Sequence, residues 1–278
     1  MGRIPKLVRP PATSNAQRAL SQHRWACVPW LAVVVVLAGC SGGPPPVEHG
    51  WVNLAVAAET ATGSAGFFSE YQACDVQEVS DCVVARCQPQ PSAARIDAGV
   101  VHITGAALDI ELDTDPAQLA EPGAWVSTEV ESRLTAGESI DFELSGSARV
   151  PRASRALAVP EAISVDVCAQ WPEPAAPRWA EARDVTLVWP AGTPGELLVR
   201  LVSPGVEVRE PHVRPELVAI CQFAAANGRA TVQASVMEFM GVDEVELHVD
   251  LVSLAVLDLD SRSVAFSVSR DVCRSQTP

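Results

Sequence analysis

Lysine is almost missing from this sequence of 278 residues: Lys6 is the only one. Tyrosine also occurs once, as Tyr71, methionine occurs three times, and aromatic residues make up 5% of the chain. Beyond residue 40 no amine side chain exists to act as a nucleophile or form a Schiff base, which removes lysine-dependent covalent catalysis from consideration. Basic charge is scarce altogether. Of 20 basic residues, five (Arg3, Lys6, Arg9, Arg18 and Arg24) lie in the first 40 positions, which hold no acid; the remainder sets 15 arginines against 34 acids, a net charge of −19. Binding to phosphate backbones relies on charge neutralisation by Lys and Arg, so nucleic acid is disfavoured as a partner. Long apolar runs are missing too. The longest, Val28 to Leu37, spans ten residues, whereas a helix needs about 20 to cross a bilayer. The 48% hydrophobic content therefore points mainly to a folded core.

The basic, acid-free stretch up to Arg24, the apolar run and the small residues Ala38 and Gly39 follow one another in the order of an export signal. The run ends in Leu37-Ala38-Gly39-Cys40, which resembles the lipobox of bacterial lipoproteins. That resemblance implies lipidation of the Cys40 thiol, with palmitate among the acyl groups, and cleavage just before it, so that residues 1–39 form the signal peptide. The Gly42-Gly43-Pro44-Pro45-Pro46 stretch within 40–50 reads as a tether, because it sustains neither a helix nor a central strand. Ser41 stands where inner-membrane retention in enteric bacteria uses aspartate, and this leans the expected location toward the outer membrane. The expected attachment to membrane is through the lipid alone.

Eight cysteines are present. With Cys27 in the signal and Cys40 at the lipid site, Cys74, Cys82, Cys87, Cys168, Cys221 and Cys273 remain. An even number in an exported domain predicts disulfides. Three of them crowd into Cys74 to Cys87, so one local bridge is expected, with the third member reaching toward Cys168, Cys221 or Cys273. The spacing lacks the Cys-x2-Cys of a zinc site, and no cofactor is indicated.

Residues 51–278 read as an all-β domain. Val245, Leu247, Val249 and Leu251 alternate with Glu244, Glu246, His248 and Asp250, and Val264, Phe266 and Val268 alternate with small polar residues. This period of two predicts half-buried strands joined by a hairpin through Asp258 to Arg262. Between Leu251 and Leu257 the alternation slips, which a bulge or burial on both faces would produce. A second hairpin, Leu217–Phe223 with Arg229–Val236, is expected around Asn227-Gly228. Further strands are expected at 52–58, 66–72, 94–103, 108–112, 125–131, 139–144, 163–168, 185–189 and 197–202. No helix longer than about two turns fits the i, i+3, i+4 template. The expected fold is an antiparallel β-sandwich, Greek-key or immunoglobulin-like, braced by disulfides. A division into two sandwiches near 155–180 is the alternative, at the Pro-rich Trp171 to Trp179.

Several strand segments, Ile96 to Gly105, Gly137 to Gly146, Val185 to Trp189 and Ile220 to Phe223, together with the lipobox and the early cysteine cluster, resemble uncharacterised β-rich lipoproteins of soil-dwelling Gram-negative bacteria. The resemblance implies an exported β-rich domain and carries no catalytic residues.

Chemistry-bearing clusters are few. Asp109, Glu111, Asp113 and Asp115 alternate along one strand, where hard oxygens could hold Ca²⁺; the better reading is a solvated strand face whose charge blocks edge-to-edge pairing. Asp258 and Asp260 receive the same judgement. His102, His212 and His248 are scattered, and His248 is expected to be solvent-exposed. No Gly-x-Ser-x-Gly elbow, His-Glu-x-x-His helix or phosphate loop occurs, so a non-catalytic role is expected. Trp125, Trp171, Trp179 and Trp189 could stack on sugar rings; burial in the core or cover over a loop is the better reading. The functional expectation is a lipid-anchored envelope protein acting as a binding or structural module through an envelope-protein or glycan partner, with a glycan- or calcium-binding surface module as the alternative.

Overall fold

The computed structural model describes residues 48–68, 74–87, 96–115, 126–169, 178–179, 183–202, 217–242, 244–259 and 262–273. The fold is all-β. Sixteen strands are described: β1 (Glu48–Val56), β2 (Thr60–Phe68), β3 (Cys74–Val79), β4 (Cys82–Cys87), β5 (Val100–Gly105), β6 (Leu108–Asp113), β7 (Val126–Glu131), β8 (Ser139–Leu144), β9 (Ala153–Ala158), β10 (Arg178–Trp179), β11 (Val185–Val188), β12 (Glu196–Val202), β13 (Leu217–Ala224), β14 (Arg229–Val232), β15 (Val245–Leu259) and β16 (Arg262–Asp271). Two short helices, α1 (Asp166–Ala169) and α2 (Ala234–Met240), accompany them.

A ten-stranded sheet runs β3-β4-β13-β12-β15-β16-β1-β2-β7, with β10 beside the start of β15. Among the described strands, pairing is antiparallel except between β1 and β16. One face of this sheet carries two separate apolar clusters, because β15, at 15 residues, is long enough to serve both. Its first half pairs with β12 and its second half with β16. The first core packs Val52, Leu54, Ala65, Val264 and Phe266 against the four-stranded sheet β6-β5-β8-β9, which supplies Ile103, Ile110, Ile140 and Phe142. Phe142 and Phe266 meet edge to face at 5.9 Å between centroids, a favoured aromatic geometry. The second core packs Leu197, Val199, Leu201, Leu247 and Leu251 against the β11–β14 ribbon, α1 and α2.

The alternation slip in β15 has its cause here. Register runs without interruption from Asp250–Asp271 to Leu259–Arg262, so no bulge occurs. Burial on both faces accounts for it: Leu251 lies in the second core while its neighbour Val252 is buried on the opposite face.

Three expectations are corrected. Leu217–Phe223 and Arg229–Val236 do not form a hairpin: β13 pairs with β12 and β4, while β14 pairs with β11 on the covering layer. The connection crosses the core through a 3-10 turn at Ala225–Asn227, and Gly228 at φ +70° then leaves it; a Cβ there would come within 2.8 Å of Ala191. The Trp189 indole donates to the Ala225 carbonyl at 2.6 Å and its backbone N–H donates to Gly228, which anchors that crossing. Second, Ile163 to Cys168 is not a strand; it ends in α1, with Asp166 Oδ1 accepting from the Val167 and Val188 backbone N–H groups. Third, residues after Val232 turn into α2, closed by Gly241 at φ +66°, the left-handed residue that commonly ends helices.

Candidate functional site

The face of the large sheet opposite the two cores is where polar side chains are buried. Alternation places them there. On β12, Glu196, Leu198 and Arg200 point away from Leu197, Val199 and Leu201, and on β15, Glu246, His248 and Asp250 point away from Leu247, Val249 and Leu251. Arg200 lies directly opposite His248, and Glu196 opposite Val252. The Arg200 guanidinium donates to Asp250 at 2.6 Å, with each side chain 13% exposed. His248 Nε2 is 4.0 Å from the Glu246 carboxylate, and the imidazole is 11% exposed. The expectation of a solvent-exposed His248 is therefore corrected: a polar face of a central strand is flanked on both sides, and its neighbours cover it.

A second polar row continues across β1, β2 and β16. Asn53, 1% exposed, accepts through Oδ1 from Ser267 at 2.8 Å and Ser269 at 3.2 Å. Ser64 lies opposite Asn53 and is also buried. Trp51, one step along, stands opposite Gly66 and Ala265, whose small size leaves room for the indole. Among the buried polar atoms on this face, Asn53 Nδ2, Glu196 Oε2 and Arg200 Nε make no hydrogen bond. Buried polar groups without partners cost roughly 1–3 kcal/mol each, so native folds keep few.

Burial pushes the Glu196 carboxyl above its ordinary range. The folded protein therefore binds a proton at Glu196 more readily than the unfolded chain does. Its contribution favours the folded state at low pH and is lost as pH rises from the ordinary carboxylate range through the raised value. Replacing Glu196 with Gln is expected to raise stability near neutral pH and to leave it nearly unchanged below the ordinary carboxylate range, as read from urea midpoints across that interval.

The other sequence candidates are dispersed. Asp109 and Glu111 are exposed and Asp113 half-buried on β6, the outer strand of the four-stranded sheet, which is the edge position expected for them. His102 faces Glu111 at 3.8 Å on that surface and is 40% exposed. Among the described residues no group of three or more His, Cys, Asp or Glu side chains is arranged to hold a metal. Asp115 follows β6, and Asp258 is exposed near the end of β15. Trp189 is a core residue, not a stacking platform. Trp179 lies in β10 opposite Val245. Leu37, Ala38, Gly39, Cys40, Tyr71, Trp125, Trp171, His212 and Asp260 fall outside the described residues.

Cys82 is bonded to Cys221, its register partner across β4 and β13, and Cys168 to Cys273, with sequence separations of 139 and 105. Backbone register sets Cys74 opposite Cys87 on β3 and β4. The chain matches no protein-family model and no curated protein.

Asn53, Glu196, Arg200 and Ser267 were not singled out by sequence reasoning. Glu196 and Arg200 do carry a signal, since they alternate with leucine and valine as the acids of β15 do. What the sequence lacks is the knowledge that these two strands are neighbours.

Proposed function

We propose that this chain is a lipid-anchored protein of the cell envelope, tethered through Cys40 and working as a binding module rather than as a catalyst. The observation that carries the reading is the pair of long-range disulfides buried in the second core, since such bonds form and persist in oxidising, exported compartments. They agree with the export-signal pattern of residues 1–40 and the resemblance of Leu37 to Cys40 to a lipobox. Ser41 favours the outer membrane over the inner one for the anchor, and no nucleic-acid partner is proposed for a body at net −19. Metabolic labelling with a palmitate analogue tests the anchor. Label is expected on the wild-type chain and absent from Cys40→Ala; equal labelling of both would remove the anchor from the reading.

A glycan ligand is the second reading, favoured by one observation. The buried row on the outer face combines an unpartnered acceptor, Glu196 Oε2, with unpartnered donors, Asn53 Nδ2 and Arg200 Nε. A hydroxyl donates and accepts at once, so a polyhydroxylated ligand suits a mixed set better than a simple ion does. Retention on a panel of envelope glycans, compared between wild type and Arg200→Leu/Asp250→Leu, tests this reading; equal retention by both proteins counts against it.

A further inference from the structure

Arg270 is the one described arginine that is half-buried and has no partner at all. Arg133 pairs with Glu59, Arg152 with Glu143 and Arg200 with Asp250. In a body holding 34 acids to 15 arginines, a guanidinium easily finds a carboxylate, yet Arg270 makes no ion pair or hydrogen bond, and its Nε is buried.

Its place in the fold explains the isolation. Arg270 is on the core-facing side of β16, directly opposite Leu251. Leu251 belongs to the second core, and Val268, two residues earlier on the same face, belongs to the first. Arg270 therefore stands at the seam where the two covering layers meet the large sheet. The chain crosses that seam between Val159, in the first core, and Ile163, in the second. β9 is the edge of the four-stranded sheet that packs over β15 and β16. On β9, Arg155 lies opposite the buried Phe142, on the inward face, but is itself exposed. Apart from donating to the neighbouring Ser154 carbonyl at 3.4 Å, it too lacks a partner. Arg270 at the seam and Arg155 on the covering strand β9 are thus two guanidinium groups without a carboxylate on either.

We propose that Arg270, at this seam, is an anion-binding site that holds a carboxylate or phosphate group of a ligand, with Arg155 as an exposed second contributor. A guanidinium stays charged at any pH the fold survives, so it cannot escape the cost of partial burial by losing its proton. Burial does hold Arg270 below its ordinary value, which marks the same desolvation. With Nε enclosed, the terminal nitrogens are the donors open to the ligand, and a planar oxyanion meets them end-on through two charge-assisted bonds. Neutral sugars offer no charge to offset the buried cation. Cations are repelled. The site is separate from the polar row on the outer face and does not rest on the glycan reading.

Thermal melting of the purified protein tests the proposal, with inorganic phosphate or glucuronate compared against chloride at equal ionic strength. At a tenfold excess over Kd the wild-type Tm is expected to rise by about 3 °C with at least one anion. Arg270→Gln is expected to lose that rise while melting in chloride at or above the wild-type temperature, because an unpaired, partly desolvated charge has been removed. Arg155→Gln is expected to keep the chloride Tm and to need a roughly threefold higher anion concentration, as for loss of an exposed charge worth under 1 kcal/mol. A response to phosphate alone places the ligand among phosphorylated molecules, and one to glucuronate alone among carboxylated ones. The proposal is overturned if neither anion moves the wild-type Tm, if Arg270→Gln responds like wild type, or if Arg270→Gln melts below wild type in chloride.

Discussion

Reduction of the disulfides is expected to melt the second core while the first keeps its structure. Cys82 and Cys221 lie in the second core, and Cys168, also there, is bonded to Cys273, which packs against it; among the described residues no cysteine belongs to the first core. Each bond closes a loop of more than 100 residues, with separations of 139 and 105. By restricting the unfolded chain, a loop of that size is worth about 4.7 kcal/mol. That approaches the entire net stability of an ordinary domain, which is about 5–15 kcal/mol. The two loops interleave, so their contributions overlap and removing both costs less than twice one. Hydrogen exchange after treatment with reductant reads the outcome by region. Amides of β12, β13 and the first half of β15 are expected to lose most of their protection, while those of β5, β6 and β8 retain it. Cys168→Ala/Cys273→Ala is expected to cost about 2–5 kcal/mol by urea unfolding. Uniform loss of protection across both cores would show that the shared β15 couples them into one cooperative unit.

That shared strand also explains what could and could not be read from the sequence. β8 and β6 were legible almost to the residue, because Ile140, Phe142, Leu144 and Leu108, Ile110, Leu112 alternate cleanly with exposed acids. β2 was placed too late, starting at Gly66 instead of Thr60. Its Thr-Ala-Thr-Gly-Ser-Ala opening shows no large apolar residue, and packing supplies the reason: a Cβ at Gly63 would stand 3.0 Å from Ile110 and 3.1 Å from Ile103. The facing sheet thus brings the bulk and β2 makes way for it. β3, β4 and β9 were missed for other reasons. β3 and β9 are sheet edges with mixed polarity. The β3–β4 turn uses Ser80 at φ +57°, where glycine or asparagine is the usual signal. Asn227-Gly228, in turn, advertised a hairpin and supplied a crossover, since local turn chemistry does not say which layer receives the next strand.

The site was less legible than the fold for a physical reason. Glu246, His248 and Asp250 look like a solvated stripe because alternation assigns them to one face without saying whether that face is wet. In the fold they share it with Arg200, Glu196 and, further across, Asn53. Long-range pairing created the burial, and pairing between strands 50 residues apart leaves no trace in periodicity.

Asp250→Ala is expected to be the most damaging single substitution outside the apolar cores. Asp250 and Arg200 are each 13% exposed and bonded at 2.6 Å, and Arg200 already carries one buried donor without an acceptor. Removing the carboxylate leaves the guanidinium, 13% exposed, in a site where it cannot deprotonate and is largely cut off from bulk water. Uncompensated buried charges of this kind cost about 3–5 kcal/mol. The double replacement Arg200→Leu/Asp250→Leu removes both charges and fills the space with apolar atoms, and on the same physics it is expected to fall within about 1 kcal/mol of wild type or above it. The exposed pair Arg133–Glu59, at 3.1 Å but with both side chains more than 70% exposed, is the control: solvent screens such pairs, and Arg133→Ala is expected to leave the urea midpoint essentially where it is. Denaturation midpoints of the four proteins, all with the disulfides intact, decide the matter. A large loss for Asp250→Ala with recovery in the double variant would mean that the pair is not kept for stability, since leucines serve that purpose as well. A small loss for Asp250→Ala would instead show that water reaches this face freely, and the polar row would then have the energetics of an ordinary surface.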